Sequence, residues 1–226
     1  MTNKSDDAVV PTGRHGLAPD AVAEQQRERL FAAVVELVAK RGYRETSVEQ
    51  IVKAARVGTV AFYELYAGKE DCFLGVFDRI VAESIEAVTE AVAGADGWPE
   101  EMAGGLACLL DLIVAEPRQA RIALVEVQTA GPRAYERYKE AVDRAGPKLR
   151  EGRAFSKEAA ALSGTLEEAL LGGILWIVHQ RLVKGELGDV DSLLEETIQI
   201  ALSPYLGDEE AKRLAAATLQ DRARRK

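Results

Sequence analysis

The chain has 226 residues, of which 47% are hydrophobic and 6% aromatic, and its formal net charge at pH 7 is −8. This composition favours an all-helical globular protein with a sizeable core. No alternating run of β-branched residues predicts a strand. The longest apolar stretch, residues 169–178, is shorter than the roughly 20 residues that span a bilayer. Residues 1–16 lack the pattern of a signal peptide, so we expect a cytoplasmic protein without a membrane partner.

Few residues offer the chemistry for catalysis or metal binding. The two cysteines, Cys72 and Cys108, lie in helical apolar patterns, and the two histidines, His15 and His179, are far apart in the sequence. We therefore expect core packing for both cysteines and predict no metal site, no cofactor and no enzymatic activity. An enzyme that uses Glu126 and His179 as an acid/base pair is a rival hypothesis, although nothing in the sequence places these side chains together.

The predicted elements begin after a segment without hydrophobic periodicity. Residues 1–19 are expected to form a flexible arm, whose Arg14 and His15 could reach a DNA minor groove. Disorder without a function is the alternative for this arm. The first helix is predicted from residue 19 or 20 to residue 41, because apolar residues recur at helical spacing and Gly42 follows.

The segment 46–69, TSVEQIVKAARVGTVAFYELYAGK, predicts two short helices joined by a tight turn. Ser47 and Gln50 have the spacing of a capping box, which begins the first of these helices. The second helix begins near Thr59, and Phe62 is expected to face inward. Such a pair is typical of a helix-turn-helix, which places its second helix in a DNA major groove. An ordinary pair of core helices is the alternative interpretation.

A longer helix with acidic residues in its first turn is predicted to begin after Gly68 and to continue to about Ala93. Proline and glycine residues divide the remaining sequence into segments of helical length. We expect a loop or a break between Gly146 and Phe155, and a frayed, solvated helix end at the closing RARRK. The remaining helices are predicted at about 98–115, 117–130, 132–150, 157–184, 189–206 and 208–224.

From about Gln25 to Phe77 the chain resembles the TetR family of one-component transcriptional regulators. The string FYELYAGKEDCFLGVFD is similar to the family pattern at the end of the recognition helix, and LFAAVVELVAKRGYRETSVEQIVKAA resembles its first two helices. The resemblance implies an N-terminal helix-turn-helix domain and a C-terminal ligand-binding and dimerisation domain. We therefore divide the chain into the arm 1–19, a DNA-binding domain 20–79 and a second domain 80–226.

The resemblance also implies which side chains contact DNA. Tyr63 and Lys69 match positions that contact phosphates in the family, and a phenol and an ammonium group suit that contact. Near the exposed start of the recognition helix, Thr59 can hydrogen-bond to a base edge, and Glu64 can accept a hydrogen bond from a cytosine amino group. The full set of predicted DNA contacts is Ser47, Gly58, Thr59, Val60, Ala61, Tyr63, Glu64 and Lys69.

Besides Leu65, which replaces a frequent histidine, three residues depart from the family pattern. Arg56 stands at a turn position where the family usually has glycine, and a non-glycine residue in a left-handed conformation costs about 1–2 kcal/mol. Gly58 stands where a hydroxyl cap is common, and Glu64 places an anion near the phosphates. These departures motivate a rival hypothesis, a helical small-molecule carrier or partner-binding protein whose helix-turn-helix no longer reads DNA.

The acidic charge of the chain is concentrated in its second part. Residues 1–79 contain 11 Lys and Arg against 12 Asp and Glu, whereas the remainder contains 18 against 25. The predicted DNA-binding domain is therefore nearly neutral. We expect a modest salt dependence of DNA binding, since each neutralised phosphate adds slightly less than one unit of log–log slope.

The helix predicted around LLGGILWIVHQ is apolar on nearly every side, and such a helix must be buried all round. A partner subunit could cover the side that the chain itself leaves open, and the resemblance implies the same homodimer. Its two recognition helices would then lie about 34–36 Å apart, which predicts a palindromic operator. Core packing is the alternative for His179. The predicted interface residues are Leu170, Ile174, Ile177, His179, Leu193 and Ile198.

A pocket for a small-molecule effector is expected from the family. Met102, Leu106 and Leu109 share a helix face, Trp176 offers a large ring, and the carboxylate of Glu126 could orient a ligand in an apolar cavity. A solvated residue or an inter-helix salt bridge is the alternative for Glu126. We thus predict a ligand-responsive, sequence-specific transcriptional regulator, most simply a repressor that a small molecule releases from DNA.

Overall fold

The computed structural model of the chain describes residues 19–225, whose regular elements are all helical. Residues 1–18 and Lys226 lie outside the described part, and with them the predicted groove contacts of Arg14 and His15. The predicted all-α fold is confirmed. Two 3-10 helices lie between the α-helices, at Glu126–Thr129 and Glu151–Ala154. The α-helices are α1 (Pro19–Arg41), α2 (Val48–Ala55), α3 (Thr59–Leu65), α4 (Lys69–Val92), α5 (Trp98–Ala115), α6 (Pro117–Leu124), α7 (Pro132–Asp143), α8 (Ala145–Arg150), α9 (Lys157–Ala160), α10 (Leu166–Lys184), α11 (Val190–Leu206) and α12 (Asp208–Arg225).

The first four helices begin and end close to their predicted positions. α1 ends where Gly42 adopts a left-handed φ of 86° and its N–H donates to the carbonyl of Val38 at 2.8 Å. α4 begins after Gly68, and the carboxylate of Asp71 in its first turn accepts a hydrogen bond from the backbone N–H of Ala67. Acidic residues suit this position because the first N–H groups of a helix lack intrahelical partners and carry a partial positive charge.

Three helices that we predicted as continuous are interrupted, so these predictions are wrong in part. The helix predicted at 117–130 ends at Leu124 and is followed by the first 3-10 helix. The one predicted at 132–150 is divided into α7 and α8, and Pro147 lies in the first turn of α8, where its missing N–H leaves no hydrogen bond unmade. The one predicted at 157–184 is divided into α9 and α10 by a turn at 161–165.

Buried apolar side chains form two clusters, one mainly from the N-terminal helices and one mainly from the C-terminal helices. The first is built mainly by α1–α4 around Phe62 and Phe73, but it also contains Ile122, Val127 and Ala134. The second is built by α5 and α10–α12, with contributions from the short helices before α10. The helix-turn-helix therefore shares its core with α6, the first 3-10 helix and α7, and a domain boundary at residues 79/80 stays a prediction.

Two residues predicted at a subunit interface lie in the second core instead. Leu193 and Ile198 are 0% exposed within the single chain. α11 packs against α5 and α12, and these helices of the same chain cover the two side chains that we assigned to a partner subunit. The interface prediction is therefore wrong for both side chains. Ile174 on α10 is buried as well, since it is only 9% exposed.

A buried ion pair fixes the segment before α10. The guanidinium of Arg153 binds both carboxylate oxygens of Glu167, at 2.7 and 3.0 Å, and the hydroxyl of Tyr205 donates to the same carboxylate at 3.1 Å. Arg153 also donates to the carbonyls of Leu162 and Ser163, so this one side chain stabilises the turn at 161–165. Mainly through the hydrogen bonds from Arg153, the pKa of Glu167 is lowered to about 2.

The last helix is anchored rather than frayed. Arg222, within the closing RARRK, is 8% exposed and forms ion pairs with Asp111 of α5 and Asp191 of α11. Our prediction of a solvated end is wrong for this residue, because its carboxylate partners come from helices far away in the sequence.

The core packing predicted for Cys72 is confirmed. Its thiol is buried in the first cluster, and burial raises its pKa to about 12. Cys108 lies half-buried on α5. Among residues 19–225, no helix is long and apolar enough to cross a membrane.

Candidate nucleic-acid interface and ligand cleft

The first helix of the predicted helix-turn-helix begins at a capped residue. Ser47 Oγ accepts a hydrogen bond from the backbone N–H of Gln50 at 3.2 Å, and Gln50 Oε1 accepts one from the backbone N–H of Ser47 at 3.1 Å. This reciprocal pair is the capping box that the spacing predicts. Ser47 remains exposed at the start of α2. Its contact with a DNA backbone stays a prediction.

In the turn between α2 and α3, Arg56 adopts the left-handed conformation that the family resemblance implies for this position. Arg56 has φ 54° and ψ 41°, and its N–H is directed at the carbonyls of Lys53 and Val52. Gly58 then precedes α3 in an extended conformation and supplies no side-chain cap. The second helix begins at Thr59, as predicted.

α3 has one buried and one exposed face. Phe62 is 0% exposed in the first core, whereas Val60 is 75% and Tyr63 is 56% exposed. Thr59 and Glu64 are exposed as well. Hydroxyl, apolar and carboxylate groups that point away from the core can read base edges and thymine methyl groups in a major groove. Ala61, by contrast, is half-buried, packs against the first core and offers less surface to a groove.

Lys69 forms hydrogen bonds within the helix-turn-helix domain. Its Nζ donates to the backbone carbonyls of Tyr43 at 3.1 Å and Thr46 at 2.9 Å, and it lies 4.2 Å from the centre of the Tyr43 ring. These contacts connect the start of α4 to the turn between α1 and α2. Because an ammonium group has three N–H donors, one remains for a phosphate. No pattern in the sequence predicts the two carbonyl partners, and the phosphate contact stays a prediction.

A cleft of about 690 Å³ lies between α7, α8 and α10. One wall has Trp176 and His179, whose rings are parallel within 4° with centres 6.1 Å apart. Another has Tyr135 and Tyr138, whose ring centres are 6.5 Å apart. Charged and apolar side chains complete the lining, among them Lys139, Asp143, Arg150, Glu168, Leu171 and Leu175.

The cleft is not where most of the predicted ligand residues lie. Of the five, Trp176 lines it, and this ring is 63% exposed rather than enclosed. Met102 and Leu106 pack against the second core, and Leu109 is 41% exposed on α5. The part of the shared helix face that holds Met102 and Leu106 packs against neighbouring helices, whereas Leu109 is exposed. None of these three side chains lines the cleft, and their contact with a ligand stays a prediction.

Glu126 also lies outside the cleft, because its carboxylate is turned toward the helix-turn-helix. Glu126 Oε2 accepts a hydrogen bond from the backbone N–H of Tyr43 at 2.9 Å, and Oε1 lies 3.2 Å from Nε of Arg121. A Cβ at Gly42 would lie 3.4 Å from Oε2, so the glycine leaves room for the carboxylate. The ligand contact predicted for Glu126 is wrong, and the inter-helix salt bridge that we left as an alternative is the better description.

The 3-10 helix that carries Glu126 reaches the cleft with its other side. Gln128 lines the cleft, and its amide donates to the carbonyl of Leu124 at 2.7 Å and lies 3.3 Å from Nδ1 of His179. Nδ1 of His179 is 3.0 Å from the same carbonyl. Glu126 and His179 thus have different partners, which removes the support for an acid/base pair. Among the described residues no group of three or more His, Cys, Asp and Glu side chains could hold a metal ion.

The exposed face of α10 forms a stripe of small and apolar residues. Gly173 is exposed, and a Cβ placed there would meet no atom of the chain within 4 Å. Leu170 and Ile177 of the predicted interface are half-buried beside this stripe, as is His179. The face that the chain itself leaves uncovered consists of Ala169, Gly172, Gly173, Trp176 and Val183.

The fold, with an exposed second helix after a tight turn, is that of the helix-turn-helix class. Residues 30–76 match the model of the bacterial regulatory proteins of the tetR family. This segment contains α2, α3 and the turn between them. The match supports, over this segment, the resemblance to the TetR family that the sequence predicts.

Solved structures of TetR-type regulators share the fold of the chain. The fatty acid degradation regulator FadR from Bacillus halodurans has a TM-score of 0.69 at 19% identity, over 83% of this chain and 96% of that chain. FadR from Bacillus subtilis, in complex with stearoyl-CoA, has 0.64 at 17%, over 78% and 98%. A gamma-butyrolactone receptor described as an ArpA-like protein has 0.64 at 22%, over 88% and 99%. No curated protein matches the sequence of the chain significantly.

Proposed function

We propose that the chain is a ligand-responsive, sequence-specific repressor that binds a palindromic operator in the cytoplasm and leaves it when a small molecule binds. The exposed face of α3 carries this proposal. Val60 and Tyr63 are exposed, whereas Phe62 of the same short helix is buried in the first core, so core packing sets which face of α3 points outward. A helix presented in this way fits the major groove.

The homodimer is part of the same proposal, with the uncovered face of α10 as its contact surface. Gly172 and Gly173 allow a close approach of a second helix, and Trp176 supplies a large apolar area that the chain leaves 63% exposed. Trp176 and its neighbours would be covered by the same face of the partner, as a two-fold axis requires. Two recognition helices would then meet the same side of a DNA duplex.

The cleft is the proposed effector site. Its two aromatic walls favour a flat or chain-like apolar body, and the charged side chains at its rim, Lys139, Asp143, Arg150 and Glu168, favour a polar end. Two of the similar structures are described with stearoyl-CoA and as a gamma-butyrolactone receptor, and both of these ligands combine apolar and polar parts. A molecule of this mixed character is therefore the effector that we expect.

The 3-10 helix Glu126–Thr129 connects the cleft to the helix-turn-helix, so a change in the cleft can alter DNA binding. Gln128 lines the cleft, while Glu126, two residues earlier, holds the backbone N–H of Tyr43 in the turn before α2. A ligand that displaces Gln128 from His179 would therefore move the carboxylate that positions the helix-turn-helix. The resulting change in DNA affinity is limited to the ligand's differential affinity for the two arrangements.

Selection of DNA duplexes from a random pool by the purified full chain tests the proposal. We expect a palindromic sequence to emerge and to bind much more tightly than random duplex. Val60→Glu should weaken binding to this sequence at least about tenfold, because it adds an anion to the groove-facing side without disturbing the core. Val114→Glu, on an exposed position of α5, is the matched control and should leave binding unchanged.

Failure of the selection would favour the rival hypothesis. If the folded protein enriches no sequence and binds duplex DNA only weakly, the helix-turn-helix is a structural remnant, and the chain is better described as a small-molecule carrier or partner-binding protein. Equal effects of the Val60 and Val114 substitutions would likewise contradict the assignment of α3 as the reading helix.

A further inference from the structure

The left-handed arginine in the turn between α2 and α3 has no role in the fold of the described chain. Arg56 is the one non-glycine residue with positive φ among residues 19–225. Its side chain is exposed, and within the described part of the chain it makes neither a hydrogen bond nor an ion pair. Its backbone N–H closes α2 by donating toward Lys53 and Val52, which a glycine would do as well and without steric conflict.

The balance of charged side chains around the helix-turn-helix indicates a role for this arginine. Six charged side chains lie between residues 44 and 65, all of them exposed, and they balance at three basic and three acidic. The one charge on α3 is the carboxylate of Glu64, which would face the phosphates of a bound duplex. Without Arg56 these six would become two basic against three acidic side chains. The six are Arg44, Glu45, Glu49, Lys53, Arg56 and Glu64.

We propose that Arg56 is a DNA phosphate contact of this chain, retained in an unfavourable backbone conformation because its guanidinium offsets Glu64 at the DNA surface. The inference rests on the proposed DNA-binding function. Arg56 stands three residues ahead of Thr59, where α3 begins, so a long cationic side chain there lies beside the groove-reading end of the helix. Backbone strain of this kind is frequently retained at functional positions.

Contact with phosphate rather than with a base follows from the position of Arg56 outside α3. A guanidinium at the end of α2 is placed like the backbone-contacting groups of other helix-turn-helix proteins, which fix the orientation of the protein and carry no sequence information. Loss of such a contact lowers affinity for every duplex by the same factor. Loss of a base contact lowers affinity for the preferred sequence alone.

The test combines thermal unfolding with DNA binding for Arg56→Asn, Arg56→Gly and Arg56→Lys. Asparagine and glycine accept the left-handed conformation, so both variants should raise the Tm by about 2–4 °C. The same two variants should bind about tenfold more weakly at 50 mM salt, both to the selected operator and to a random duplex. Their salt slope should fall by about 0.9 for each helix-turn-helix bound, or about 1.8 for a dimer.

Two controls separate the effect of a positive charge at residue 56 from the effect of the net charge of the protein. Arg56→Lys keeps the cation and should preserve the salt slope. Arg144→Gln makes the same change in net charge at an exposed position of the second half of the chain, and should leave DNA binding unchanged.

Four results overturn the proposal, three from the variants and one from the wild type. If the wild type binds DNA and Arg56→Asn has the same DNA affinity and salt slope, Arg56 makes no contact with DNA. A loss confined to the selected operator makes Arg56 a base reader. A lower Tm in Arg56→Asn gives the side chain a structural role. If the folded wild type binds neither duplex, the DNA-binding function and this inference are both wrong.

Discussion

The carboxylate of Glu126 accepts a hydrogen bond from the backbone N–H of Tyr43, which lies 83 residues earlier in the chain. Arg121 holds the other carboxylate oxygen, and Gly42 leaves the space that the group occupies. The turn that precedes α2 is thus held by Glu126 from one direction and by Lys69 from another. The position of the helix-turn-helix depends on a side chain from the second half of the molecule.

Removal of this carboxylate should destabilise the chain. Glu126→Ala leaves the backbone N–H of Tyr43 buried without an acceptor, which costs about 1–3 kcal/mol of unfolding free energy. Glu126→Gln keeps an oxygen that can accept this hydrogen bond, so its loss should be smaller. Urea unfolding measures both values. Glu136→Ala, at an exposed position of α7, should change stability by less than about 0.5 kcal/mol. An equally small effect of Glu126→Ala would contradict the importance of the contact.

Stability should also depend on the buried pair of Arg153 and Glu167. Glu167→Gln leaves the guanidinium without its counterion and should cost about 2–3 kcal/mol at neutral pH. The pKa of Glu167 is about 2 in the folded chain against an ordinary value of 4.5, so the unfolded chain binds more protons between these values. The contribution of the pair is complete above about pH 4.5 and is lost as the pH falls toward 2.

Thermal unfolding of wild type and Glu167→Gln at several pH values checks this dependence. The difference between the two proteins should be constant above about pH 5 and should shrink below about pH 4. A difference that persists unchanged at low pH would mean that hydrogen-bond geometry, rather than the charge of Glu167, stabilises the segment before α10.

The proposed dimer face can be tested at a glycine. Gly173→Leu meets no atom of its own chain, and leucine favours a helix over glycine by up to about 1 kcal/mol, so the single chain should not be destabilised. If a second α10 packs against this face, the added side chain should weaken dimerisation at least about tenfold, through loss of the close approach. Sedimentation equilibrium measures the change. Gly94→Leu, also in open space, is the control. A Gly173→Leu protein that dimerises as the wild type does would place the interface elsewhere.

Tyr63 and Lys69 should differ in what they contribute. Tyr63→Phe removes one exposed hydroxyl, so it should leave unfolding free energy within about 0.5 kcal/mol and weaken DNA binding by about 1 kcal/mol. Lys69→Met removes the donor of two backbone carbonyls and should cost about 1–3 kcal/mol of stability as well as DNA affinity. Parallel urea unfolding and fluorescence anisotropy separate the two effects. Full stability of Lys69→Met would show that its internal hydrogen bonds are dispensable.

The helix-turn-helix could be predicted from the sequence because its decisive interactions are local. The Ser47 and Gln50 capping box spans three residues, and Gly42 ends α1 through its own backbone conformation. Phe62 lies between two outward residues of a single short helix, so helical periodicity alone separates buried from exposed side chains. The left-handed conformation of Arg56 was implied by the family resemblance, because the family usually has glycine at this turn position.

The second half was harder to predict because periodicity gives the apolar face of a helix but not the partner of that face. Leu193 and Ile198 were correctly placed on a buried stripe, yet α5 and α12 of the same chain cover it. Met102 and Leu106 were likewise on one face, and that face meets the second core instead of a cavity. Trp176, on a helix that is apolar on nearly every side, is left 63% exposed.

The sequence by itself determined the all-helical class, the position of the helix-turn-helix and the face of α3 that points outward, since each depends on residues within a few positions of one another. Only the tertiary structure decided the partners of Glu126, Lys69 and Arg222. A charged side chain can be buried beside any group that satisfies it, and which group that is depends on how helices far apart in the chain pack together.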